Sequence, residues 1–593
     1  MAERPIRVGN FSGYLGDRWS AIAEVLAGDP IDVLAGDYLA EITLAPLAGR
    51  FQDDPSRGYV ERFVDQIRPH LAEIVRRGIR VVTNAGGFNP AGLARALREI
   101  AAAEGFALNV AYVEGDNLLN RLDDIQSAGH RLEHLDTDAS LRDWEQKPIA
   151  ANAYLGGWGI ASALREGADI VVCGRVTDAS LIVGPAAWWH DWGHDDWDAL
   201  AGAVVAGHVI ECGPQAVGGN FSGFMSVPGI ERPGFPIAEV AADGSCVITK
   251  HGRDGGTVTV DTVTAQLVYE IQGPLYFNPD VTVHVDSAVL RPAGHDRVAI
   301  TGVRGAPPPP TAKIAIFAVI GFQTVQTVYV TAPDVEAKVE LLGKQVAAMV
   351  DDDVQVQVTR IGSLPNDPAT QWEATVPVRI MALASERHQL AAERFADGIY
   401  GLYLSSYPGF YHDGGAKRVV EPHVRIEYWP ALLPVELVDH RVVLDDGRTI
   451  DVETPPRTQL LRQPRDPEPA PLTPSGTEVS RPLGDVAFAR SGDKGGNCNV
   501  GIWVSNPEAW PWLRQALSSS GFRQLVPEYA DLDIVRHELP SLHAVHFVIR
   551  GLLGRGGSSN TRVDQVGKAV GEYIRSRHLD IPAELLSGAD RGE

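Results

Sequence analysis

Seven times along this chain an apolar, β-branched run stops abruptly at glycine together with Asp, Asn, Arg or Glu. The stops are Gly16-Asp17-Arg18, Gly36-Asp37, Asn84-Ala85-Gly86-Gly87, Glu114-Gly115-Asp116, Gly174-Arg175 with Thr177-Asp178, Glu211-Cys212-Gly213 and Ser491-Gly492-Asp493-Lys494. In an open α/β sheet the carboxyl ends of parallel strands border one crevice, so polar stops far apart in sequence converge in space. One shared pocket is therefore expected.

Alternation supports that class. Strand-like runs at 6–8, 31–34, 81–82, 108–113 and 170–173 are separated by helical periodicity at 19–26, 59–77 and 90–103. That order predicts right-handed βαβ crossovers and a doubly wound parallel sheet. Residues 201–271 read as glycine-rich loops with a helix at 260–271, and 286–454 as an α+β continuation of a main α/β domain at 1–285. With 593 residues the chain exceeds what one core organises. A stretch with seven prolines at 455–480 reads as an extended linker. It leads to a C-terminal α+β domain at 481–593, for which a ferredoxin-like sandwich is expected.

A formal charge of −24 excludes nucleic acid and an anionic membrane as partners, because the long-range field repels both. Four cysteines with no C-x-x-C pair fit a reducing compartment, and the absence of a signal core or a long apolar run places the chain in the cytoplasm.

Several clusters carry chemistry. The turn from Gly9 to Arg18 enters a helix and offers backbone N–H groups to an anion, so Gly16, Asp17 and Arg18 are ligand-binding candidates. Its G-x3-G-x2-G spacing is not the dinucleotide fingerprint, although Asp37 ends the second strand where a ribose-binding acid would sit. Asn84, Gly86, Gly87 and Asn89 precede a proline-started helix; Asp116 and Lys250 join them as binding candidates beside glycine turns. Arg175 with Asp178 reads either as a loop-fixing ion pair or as an anion clamp with its orienting acid. His208 and Glu211, three apart, would share one face if helical and suit acid/base work, a metal or a structural pair; no second ligand pair supports a metal. The loop 490–499 reads as an anion nest in which Ser491, Asp493, Asn497 and Asn499 surround the mobile charge of Lys494.

These motifs resemble the acyclic terpene utilisation family of AtuA-like proteins: GYLGDR at 13–18, GDYLAE at 36–41, NAGGFNP at 84–90, NAYLG at 152–156, GADIVVCGRVTD at 167–178, GHVIECG at 207–213 and SGDKGGNCNVG at 491–501. The resemblance spans nearly the whole chain, including the C-terminal domain. It implies a role in breaking down branched acyclic terpenoids as coenzyme A thioesters, and supplies no accepted catalytic residues. Coenzyme A phosphates would suit the anion-binding loops.

The expected activity is that of a lyase or hydratase on a hydroxyacyl or enoyl thioester, in a homo-oligomer needing no cofactor. Glu211, His208 and Asp178 are the base candidates; Asn84, Arg175 and the N–H groups of Gly86 and Gly87 are candidates to stabilise an enolate oxygen. The alternative is a non-catalytic subunit that holds an acyl-CoA or a partner enzyme with the same loops.

Overall fold

The computed structural model describes residues 4–40, 43–412, 421–470 and 476–586. Glu41 of the GDYLAE motif and part of the proline-rich stretch lie outside the described residues. The chain forms two compact units, residues 1–317 with 428–593, and residues 318–427.

The larger unit is built on an eleven-stranded sheet. At its centre Ile6–Ser12, Val33–Gly36, Arg80–Thr83, Ile170–Cys173 and Val110–Glu114 lie side by side, all parallel, in that spatial order. The strands are almost fully buried Val, Ile, Leu and Ala, as expected when helices cover both faces. The chain runs outward through the first four strands and then turns back to insert Ile170–Cys173, so the winding reverses. Antiparallel strands extend the sheet on both sides: Pro236–Val240 pairs with Ile6–Ser12, and Arg441–Val443 with Val110–Glu114. The expected parallel sheet is thus the centre of a wider mixed one.

Two local readings need correction. Residues 201–210, the start of the expected loop region, belong to the helix Trp197–Ile210. It is buried from Ala199 onward, and a helix enclosed on all sides has no amphipathic period to betray it. Residues 490–499 are not a loop. They belong to a tight hairpin of Phe488–Lys494 with Asn497–Trp503, closed by Gly495-Gly496 with Gly495 at φ 63°. Ladder pairing, not an anion nest, engages this backbone.

That hairpin opens the C-terminal α+β region, a four-stranded antiparallel sheet in which Ala544–Ile549 lies between Asn497–Trp503 and Ile534–Leu539. Trp510–Ala516, Ser519–Leu525 and Val570–Arg575 are helices of this region, around a core that includes Leu513, Phe522 and Phe547. Within 455–470 the proline-rich segment is held by side chains: Gln463 accepts from the Leu275 N–H at 3.0 Å and donates to the Leu275 carbonyl at 2.5 Å.

The smaller unit is antiparallel. Thr375–Ala384 pairs with Gln355–Arg360 on one side and with the far part of Thr311–Thr331 on the other. The helix Val335–Ala347 contributes Leu342 and Val346 to a core with Val328, Val378 and Ile380. Three short helical pieces follow, Arg387–Leu390, Ala396–Gly401 and Leu402–Leu404.

No helix among the described residues is long and apolar enough to cross a membrane.

Candidate functional site

At the carboxyl ends of the parallel strands lies a cavity of about 890 Å³, within the range of small-molecule sites. The turn after the first strand contributes Asp17, the second strand ends in Asp37, and the strand Ile170–Cys173 delivers Arg175 and Asp178. Glu211 enters from the end of the helix Trp197–Ile210, and Asp493 and Lys494 from the hairpin tip. All seven were expected at a pocket, and strand geometry brings them to this one.

Their order is set from behind. Asp116 does not line the cavity. Its buried Oδ2 accepts from the Arg175 backbone N–H and from Asn152 Nδ2, both at 2.8 Å, which fixes the loop carrying Arg175. The Arg175 guanidinium donates to the Leu39 carbonyl at 2.5 Å and to Asp178 Oδ1 at 2.8 Å, and lies over the Tyr154 ring. Asn84 is likewise a support: its Oδ1 accepts from the Tyr38 N–H at 2.7 Å and its Nδ2 donates to Asp37 Oδ1 at 2.6 Å.

Other expected binders serve the fold. Gly86 admits the Cys173 carbonyl where a β-carbon would stand 2.4 Å from that oxygen, and Gly87 turns the chain at φ 55°. Asn89 caps the helix Pro90–Ala103 by accepting from the Gly92 N–H. Gly16 is an exposed turn residue, and Arg18 pairs with Glu24 at 2.6 Å over the Phe235 ring. Lys250 is buried against Asp296 at 2.9 Å. Ser491 bonds the Gly567 carbonyl and the Gly571 N–H; Asn497 bonds Asp136, and Asn499 bonds the Val268 carbonyl. None of these lines the cavity, because residues on polar turns often satisfy neighbouring backbone instead.

The electrostatics centre on Glu211. Burial, then the neighbouring Asp178, push its carboxyl well above the usual range, against the opposing field of Lys494. Its Oε1 lies 3.1 Å from Nδ1 of His208, and its Oε2 has no hydrogen-bond partner among the described residues. Burial, then Lys494, lower His208 to about 4, so the imidazole is neutral at neutral pH, beside an acid that holds its proton more tightly than an ordinary carboxyl. His208 itself stands behind the wall, its ring 5.0 Å from that of Tyr276. Asp37 is also raised well above normal, by burial and then Asp178. Asp116 rises to about 6, chiefly through burial.

Sequence reasoning missed Tyr154, Tyr269, Tyr276, Asn278, Lys313 and Lys568, all of which line the cavity. Lys568 bonds the Tyr269 hydroxyl and pairs with Glu270 at 3.2 Å. Glu270 is held at φ 54°, a conformation costing a residue with a β-carbon about 1–2 kcal/mol. The proline-rich segment adds Leu460 and Leu461 to an apolar wall with Leu39, Ala312, Leu432 and Val566. Among the described residues no group of three His, Cys, Asp or Glu side chains is arranged to hold a metal ion.

Comparison with known proteins agrees with the sequence motifs. Residues 6–444 match the family described as acyclic terpene utilisation family protein AtuA, and residues 481–580 match the AtuA ferredoxin-like domain. No curated protein and no solved structure matches the chain. The match over most of its length shows that this chain belongs to the acyclic terpene utilisation (AtuA) family.

Proposed function

We propose that the chain is an enzyme that adds water to, or removes it from, a branched hydroxyacyl or enoyl thioester, a coenzyme A thioester being the substrate class. The observation that carries this reading is the pairing, on one cavity, of a buried acid pushed well above the usual carboxyl range with a second carboxyl group held by an arginine, Glu211 and Asp178. Two carboxyl groups with such different surroundings divide into acid and base.

In the dehydration direction Asp178, oriented by Arg175, takes the proton from the carbon beside the thioester carbonyl. The electron pair passes through the enolate to expel the β-hydroxyl group, which leaves as water with the proton of Glu211. The Lys494 charge faces the enolate oxygen while it is negative. Hydration runs the same steps backward. Each proton transfer of this kind contributes about 10²–10⁴-fold. The apolar wall with Leu460 and Leu461 suits a branched chain. No resident cofactor takes part, and the reading includes a homo-oligomer in the cytoplasm.

The test is mass-detected turnover of a panel of hydroxyacyl- and enoyl-CoA thioesters in deuterated water. Product with deuterium beside the carbonyl is expected. Tight binding with neither turnover nor exchange would instead favour the non-catalytic subunit.

A further inference from the structure

The proline-rich stretch lies between the two family matches, the first of which ends at 444 while the second begins at 481. It nevertheless supplies part of the cavity wall, through Leu460 and Leu461. Two pins bracket these leucines. The Gln459 N–H donates to the Pro308 carbonyl at 2.8 Å, next to Pro309 of the wall, and the Gln463 carboxamide bonds both backbone groups of Leu275, next to Tyr276 of the wall. Gly273 makes the second pin possible, because a β-carbon there would stand 2.6 Å from Gln463 Oε1. Further along, Asp466 accepts from the Glu538 N–H at 2.7 Å, which ties the segment to the C-terminal sheet. A proline-rich segment fixed at these points has little freedom left to lose, so its leucines are in place before a ligand arrives.

The rim they join is apolar and open to water. Leu460 is 68% exposed, Leu432 43% and Phe277 39%, and all three line the same cavity. One exposed leucine is ordinary on any protein, but three large apolar side chains at the opening of one cavity mark a surface that a ligand covers. None of the three can make a side-chain hydrogen bond, so what they take is hydrocarbon. The charged groups of the cavity, Glu211, Asp178 and Lys494, serve the thioester end, which leaves the far end of the acyl chain as the occupant of the rim.

We propose that Leu460, Leu432 and Phe277 form the subsite for the distal hydrocarbon of a long acyl chain, with Leu460 a specificity-determining residue supplied by the segment between the two family-matched stretches. The proposal rests on the coenzyme A thioester reading given above. It adds that the cavity selects for chain length, so the test compares ligands with the same coenzyme and acyl groups of different length.

Calorimetric titration of butanoyl-, octanoyl- and decanoyl-CoA, which carry neither the hydroxyl group nor the double bond needed for turnover, provides that test. The unaltered protein is expected to gain about fourfold in affinity for each added methylene group that reaches the rim. In Leu460→Ser the affinity for decanoyl-CoA should fall at least about fivefold, and that for butanoyl-CoA should stay within about twofold. Leu432→Ser, on another segment of the rim, should repeat the pattern. Both leucines are exposed, so each variant is expected to melt with the unaltered protein. An unaltered protein indifferent to chain length, equal losses for short and long thioesters, or no loss for the long one in either variant overturns the proposal while leaving the reaction class standing. A changed oligomeric state in sedimentation with unchanged affinities would make the rim a contact between copies and overturns it as well. If none of the thioesters binds the unaltered protein, the coenzyme A reading falls and the subsite falls with it.

Discussion

His208 Nδ1 lies 3.1 Å from Glu211 Oε1, and burial drives the two groups in opposite directions, the imidazole down to about 4 and the carboxyl well up. Both shifts favour the uncharged form. The pair therefore spends no charge in the interior and still keeps a transferable proton beside the cavity. A helix spacing of three residues places the two side chains on one face, and the end of that helix directs the carboxyl outward to the wall.

Glu211→Gln is expected to lower turnover by about 10²–10⁴-fold, since the amide fills the same space but is too weak an acid to give up a proton. Stability should move the other way. A carboxyl raised in the fold stabilises the protein fully only below its unfolded value, and that contribution is lost as pH rises through the folded one. The variant should therefore melt no lower than the unaltered protein at pH 6, and the gap in its favour should widen by pH 8. Scanning calorimetry across that range checks this; a variant that melts lower throughout would make Glu211 a structural group.

His208→Gln tests the other partner. A histidine lowered to about 4 contributes stability that is present above its unfolded value near 6.5 and is lost as pH falls toward 4. The difference is on the order of 3 kcal/mol over that window. Denaturant midpoints of the unaltered protein should fall between pH 6.5 and 4, and those of the variant should fall measurably less.

Much of the site was legible because parallel strands must end somewhere. Asp37, Arg175 and Asp178 follow buried β-branched runs, and strand polarity alone predicts a common crevice for them. The same signal over-reached at Asn84 and Asp116, which stand one layer behind, because a strand end does not say whether a side chain faces ligand or backbone. Lys250 was misplaced for another reason: it ends an antiparallel strand on the extension of the sheet, whose pairing was not read. Tyr276 and Asn278 carry no pattern at all. They reach the cavity through a hairpin register set by contacts distant in sequence, including Gln463 on the backbone of Leu275. The hairpin at 488–503 was hidden by its own composition, since glycine and charged residues resemble a loop until two strands are seen to pair.

Asn84→Ala separates support from contact. Removing the carboxamide strips the Tyr38 N–H and Asp37 of buried partners, at a cost of about 1–3 kcal/mol for each group left unsatisfied. A lower denaturant midpoint is expected, with ligand affinity per folded molecule changed far less. A loss of affinity with unchanged stability would put Asn84 on the ligand.

Lys250→Met addresses the corrected residue. Removing the ammonium leaves buried Asp296 with only the Thr257 hydroxyl and the Val258 N–H donating to it and His295 beside it, a loss of up to about 3 kcal/mol. The variant should be strongly destabilised, and at a temperature where it remains folded its kcat should stay within about twofold of the unaltered enzyme. A selective loss of substrate binding would return Lys250 to the site.

Besides its place by the enolate oxygen, Lys494 has two candidate roles to be told apart, a grip on coenzyme phosphate and a tuner of Glu211. Its charge counts among the influences that lower Glu211 against the upward push of burial and Asp178. If it acts as a tuner, Lys494→Met must raise Glu211 further. The alkaline limb of kcat/KM, where the acid loses its proton, should then move to higher pH. That movement should be the same for a coenzyme A thioester and for a short thioester without phosphate, because the altered group belongs to the enzyme. A phosphate grip predicts a different pattern. It gives an affinity loss of about 1.5–3 kcal/mol, the range for a hydrogen bond to a charged group, confined to the coenzyme-bearing substrate, and leaves the limb where it was. Both pH profiles measured with both substrates separate the two. The hairpin tip, which lies on the same cavity as Glu211, leads us to expect the shifted limb.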